Sequence, residues 1–114
     1  MGSSGSGSFG NYKPKADRCD DPIDTDLEDI LHSEYHAAHG ALPAKGTPVR
    51  LRPTLLNRRL VVDETKTGLA IGNLPTKYNY LRLCMGQGGR SYEGTVTVSK
   101  SSKLPTLEVH LDPV

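Results

Sequence analysis

The chain of 114 residues has no tryptophan and one phenylalanine. Its core must therefore be aliphatic, drawn from leucine and valine with some isoleucine. No apolar run approaches the roughly 18 residues that a membrane-spanning helix requires. The N-terminus also lacks the apolar stretch of a secretory signal. Cysteine is scarce: Cys19 and Cys84 are too few for a disulfide framework. Cys19 lies in a polar segment and Cys84 in an apolar one, so both read as reduced thiols, and the expected location is the cytoplasm. Without a Cys-x-x-Cys motif, neither a zinc knuckle nor a dithiol redox motif is expected. Absent too is any large excess of one charge, the formal net being +1.

That near-neutrality hides a polarity. Residues 1–45 carry four basic against eight acidic side chains, whereas residues 46–114 carry ten basic against five acidic. A basic module behind an acidic leader suggests an anionic partner. Met1 to Gly10 is almost all glycine and serine and cannot bury enough apolar surface to repay its chain entropy. Pro14, Pro22 and mixed charges follow. Residues 1–22 are therefore expected to be a disordered leader, residues 23–45 a helix and connector, and residues 46–114 the single domain.

The helix is expected over about 25–39. Thr25 with Glu28 makes a capping box, and Asp24, Asp26 and Asp29 crowd the turns where the dipole favours anions. Leu27, Ile30, Leu31, Tyr35 and Ala38 then follow at helical spacing, and Gly40 and Pro43 stop it. Beyond it the period changes to two. Val49 and Leu51 begin a first strand, running on to Leu55 and Leu56 with an interruption at Pro53. Leu60 to Val62 forms a second, closing at Asp63-Glu64. Thr65-Lys66-Thr67-Gly68 is a tight turn with Gly68 free to take positive φ, and Leu69 to Ile71 returns. Thr76 caps a short helix over about 77–85. Arg90 to Ser99 alternates, as do Leu107, Val109 and Leu111. The fold class is α+β: a small, mostly antiparallel β-barrel of five to six strands, with one short internal helix and an N-terminal amphipathic helix. Barrel closure would hide the strand edges.

The stretch Gly68-Leu-Ala-Ile-Gly-Asn-Leu-Pro-Thr-Lys-Tyr-Asn-Tyr-Leu81 resembles the heart of a HIRAN domain, in which a strand and hairpin turn lead through Gly-x-x-Ile-Gly-x-Leu-Pro to a short helix. Leu60 to Glu64 resembles the strand before that turn and Arg90 to Val98 the strand after the helix, so the resemblance spans about residues 47–112. It implies a small barrel of the kind attached to DNA-repair helicases and nucleases and found in phage and bacterial proteins. One segment departs from it. Leu55-Leu-Asn-Arg-Arg59 replaces an Asn-x-x-Asp-x-Asn-Ala-like stretch. The acidic and amide groups that help hold a DNA 3′ end in some members are thus missing there.

Arg50, Arg52, Lys77, Tyr78, Tyr80 and Arg90 form the candidate site, with Arg58, Arg59 and Tyr92 nearby in the pattern. Single-stranded nucleic acid is held by a cationic groove along its phosphates and by aromatic faces that stack its bases. The competing account makes Tyr78 and Tyr92 core rings and the arginines a solvated face. His32, His36 and His39 share one helical face, but no further ligand at matching spacing completes a metal site. Cys84 with His110 is a poor nucleophile and base, because the thiol sits in an apolar segment. Asp63-Glu64 reads as edge polarity. Gly86-x-Gly88-Gly89 lacks the Lys-Ser/Thr of a P-loop and follows a helix. The expectation is a non-catalytic, cofactor-free module that binds single-stranded DNA or DNA ends. The alternative is a protein-interaction module of a small bacterial or phage-related accessory protein, recruiting its partner through the 25–39 helix.

Overall fold

The computed structural model describes residues 15–114. Six strands are described: β1 (Ile23–Asp26), β2 (Pro48–Leu51), β3 (Val61–Glu64), β4 (Ala70–Asn73), β5 (Tyr92–Lys100) and β6 (Thr106–Pro113). They form one antiparallel sheet in the order β1-β6-β5-β2-β3-β4. Five strands lie beyond residue 46, as expected, although the first stops at Leu51 instead of running on to Leu55 and Leu56, and the sheet curls into a half-barrel. Its inner face gathers Val49 and Leu51 of β2, Val62 of β3, Ile71 of β4, Tyr92 and Val96 of β5, and Leu107, Val109 and Leu111 of β6. On β2 and β6 buried residues alternate with more exposed ones, the period of a strand with one wet face.

Closure does not occur. β1 and β4 are the two edges, and they meet at a single bridge. Glu28 and Asn73 exchange backbone hydrogen bonds of 2.8 and 2.9 Å. Asp29 then turns left-handed (φ 57°) and carries the chain out of the sheet, so no ladder can extend along the seam. β4 is instead covered by α1 (Glu34–His39), and Glu34 accepts a hydrogen bond from the Ala70 N–H at 2.9 Å. The outer edge β1 exposes Asp24 and Asp26, charges that oppose further strand pairing.

The long helix expected over 25–39 is replaced by strand, turn and a short helix. Ile23, Thr25 and Leu27 are buried while Asp24, Asp26 and Glu28 are exposed. This is period two, and β6 supplies the partner through pairs such as Thr25 with Val109. Thr25 caps nothing; Ser33 is the cap of α1, accepting from the His36 N–H at 3.1 Å. The acidic crowding that suggested a helix start is the wet face of an edge strand.

The cysteines are also corrected: Cys19 and Cys84 form a disulfide. The leader expected over 1–22 lies outside the described residues up to residue 14. From there Lys15–Asp20 is a 3-10 helix with Cys19 buried. The internal helix lies near where expected, split into a 3-10 turn over Thr76–Tyr78 and then α2 (Leu81–Gly86), and Thr76 caps neither: their N-cap positions are Pro75 and Tyr80, without side-chain bonds. Gly68 takes φ +76° in the β3–β4 turn, as expected. Gly94 matters for a different reason, since a Cβ there would overlap the backbone carbonyl of His110 on β6.

Candidate functional site

β4 ends at Asn73, and from Pro75 the chain turns through Thr76–Tyr78 into α2. Leu81 and Cys84 of α2 point into the core. That spacing leaves Arg82 and Leu83 exposed and Tyr78 and Tyr80 half-buried at the rim. The Tyr78 and Tyr80 ring centroids are 6.5 Å apart at 43°. The Lys77 ammonium stands 5.3 Å from the Tyr78 centroid. The Arg18 guanidinium lies 3.8 Å over the Tyr80 ring, a cation–π distance.

Arg90 follows the glycine turn after α2, and its N–H donates to the Cys84 carbonyl at 3.0 Å. Its guanidinium meets Asp20 at 2.6 Å. Arg50 projects from the wet face of β2 and has no ion-pair partner among the described residues. Arg50 and Arg90 line one cleft of about 290 Å³ with Met85, Tyr92 and Glu93. Tyr92 closes its floor. The ring is fully buried, its hydroxyl donates to the Cys19 carbonyl at 2.7 Å, and burial pushes its pKa above the usual tyrosine value.

Arg52 stands apart. Its Nε donates to both Asp63 oxygens at 3.1 and 3.0 Å, and its Nη2 reaches Glu34 at 3.2 Å. Asp63 is buried. Withdrawing Arg52 to meet a phosphate would strand that carboxylate, at a cost of about 3–5 kcal/mol. The Arg90–Asp20 pair has both side chains well exposed, and such pairs contribute about 0–1 kcal/mol. Arg90 can therefore exchange its partner for a phosphate, and Arg52 cannot. Arg59 is likewise engaged, bridging Glu28 and the Leu74 carbonyl.

The chain matches no family model, no curated protein and no solved structure.

Of the six residues singled out from sequence, Lys77, Tyr78 and Tyr80 converge at the start of α2. Arg50 and Arg90 share a cleft that those three do not line. Arg52 serves the fold. Sequence reasoning missed Arg18 and Asp20, whose segment is joined to α2 by the disulfide and packs on β6 as well. Pairing of the two cysteines was the one signal that could have shown it. Among the described residues no group of histidine, cysteine and carboxylate is placed to hold a metal. His39 stacks on Tyr35 at 4.1 Å instead. Cys84 is tied to Cys19, and His110 lies between Asp24 (2.7 Å) and Asp112 (3.0 Å). A second concavity of about 230 Å³ holds Asp29, Ser33, Glu34, Asn57 and Asn73. Its acidic groups already bind Asn73, Arg52 and the Ala70 N–H.

Proposed function

We propose that this chain is a non-catalytic module that binds single-stranded nucleic acid, in the manner its resemblance to HIRAN domains suggests. Tyr78 and Tyr80 supply stacking surfaces, and Lys77, Arg50 and Arg90 follow the phosphates. The observation that carries the reading is the grouping of Lys77, Tyr78 and Tyr80, linked to Arg90 through Arg18 over Tyr80 and Asp20 on Arg90. A DNA 3′-end preference is not part of it, because Leu55 to Arg59 brings no acidic group and Arg59 is already engaged. The proposed location is the cytoplasm, where a disulfide is transient and responds to redox state.

A fluorescence titration with labelled oligothymidylate at several salt concentrations tests the reading. With three phosphate contacts, log K should fall against log salt with a slope of about −2. Lys77→Ala should flatten that slope by about 0.7, and Tyr80→Ala should weaken binding at every salt concentration by roughly fivefold or more. No binding at low salt would end it.

A second reading has one observation of its own. Leu31 is 47% and Leu104 82% exposed, beside a cleft of about 400 Å³ that Leu31, Leu42 and Pro105 line. This surface would serve a protein partner, in place of the helix once expected over 25–39.

A further inference from the structure

The segment that reaches the site by way of Cys19 does more than add two side chains. Arg18 covers one face of Tyr80 at 3.8 Å. Asp20 neutralises Arg90 at 2.6 Å. Between them Cys19 is bonded to Cys84 of α2, and its carbonyl accepts from Tyr92. Three consecutive residues thus occupy a stacking face, anchor the segment covalently and cancel a phosphate-binding charge.

We propose that residues 15–20 are a redox-controlled strap over the nucleic-acid site, closed when Cys19 and Cys84 are joined and released when they are reduced. This rests on the proposed function and names its regulation. The physical case is one of unequal strengths. The Arg18–Tyr80 and Arg90–Asp20 contacts join exposed or half-exposed groups, and contacts of that kind are weak. Without the disulfide the six-residue 3-10 turn depends on these contacts and the Tyr92–Cys19 hydrogen bond, because such turns have weak internal hydrogen bonds. The disulfide changes this by keeping the segment beside α2 at high effective concentration. Releasing it exposes the face of Tyr80 that Arg18 covers and leaves Arg90 without its carboxylate.

The chemistry balances with a dithiol donor of the thioredoxin class. A donor thiolate attacks one sulfur of the Cys19–Cys84 bond, and the other sulfur leaves as thiolate and takes a proton. The donor's second thiol then displaces the mixed disulfide. Two electrons and two protons pass to the pair, and the donor becomes the disulfide. Both cysteines are buried, so attack follows local opening of the strap.

The test uses the full chain in oxidised and dithiothreitol-reduced forms, with Cys19→Ser/Cys84→Ser as a permanently open form. Labelled oligothymidylate at low salt is the probe. Reduction and the double substitution should each tighten binding roughly fivefold or more, the worth of one recovered stack. A second readout needs no nucleic acid: trypsin should cut after Arg18 much faster once the disulfide is gone, with circular dichroism confirming that the sheet persists. Should either open form lose the sheet, oxidised Arg18→Ala/Asp20→Asn decides the matter, because it uncovers Tyr80 and Arg90 with the disulfide intact and should tighten binding by a similar factor. Unchanged cleavage after Arg18 overturns the strap while leaving the site intact. Equal or weaker binding in the open forms overturns the regulation. Absence of binding in every form, with cleavage accelerated, locates the failure in the nucleic-acid reading and takes the regulation with it.

Discussion

Arg50 lies on the wet face of β2 and Arg52 follows just past its end, yet they do different work. Arg52 lies across buried Asp63 with Glu34 beside it, and Arg50 faces the cleft with Arg90. Arg52→Ala should cost about 3 kcal/mol in urea denaturation, because Asp63 keeps its charge without its partner. Arg50→Ala should leave stability within about 0.5 kcal/mol while weakening oligothymidylate binding. His110 gives a prediction in pH. Hydrogen bonding to Asp24, then to Asp112, raises its pKa above the ordinary 6.5. A raised folded value favours the protonated, folded form. The resulting stabilisation is fully present below pH 6.5 and is lost as pH rises through the raised value. An NMR titration should show the elevation, and Asp24→Asn should return His110 toward the ordinary value.

At the scale of elements, the decisive question is what pairs with what. β5 and β6 pair along nearly their whole length, and Gly94 lets them approach closely. Gly94→Ala would drive a methyl into the His110 carbonyl, and the strands would have to separate. The expected loss is about 3 kcal/mol or more in thermal or urea unfolding, with hydrogen exchange speeding up first at the β5–β6 amides. The start of the chain carries the opposite lesson. Residues 23–31 satisfy two periods at once, with Leu27, Ile30 and Leu31 at helical spacing and Ile23, Thr25 and Leu27 in alternation. Local pattern does not choose between them. β6 does, by offering four registered partners to β1, and the left-handed Asp29 then turns the chain away from the sheet.

On the scale of the whole molecule, the half-barrel has one long-range covalent tie, between cysteines 65 residues apart. In the chain-entropy account, closing a loop of that length stabilises the fold by about 4 kcal/mol. Reduction should therefore lower the thermal midpoint measurably. The transition should stay cooperative, because the aliphatic core runs through all six strands. Five of those strands, the short helix and the β3–β4 turn were legible in the residues, since period-two alternation and turn glycines act over a few neighbours. So were Lys77, Tyr78 and Tyr80 as a cluster, being close in sequence. The first strand, the open seam, the joined cysteines, the commitment of Arg52 to Asp63 and the arrival of Arg18 and Asp20 at the site were not. Each depends on groups far apart in the chain, and only folding could bring them within bonding distance.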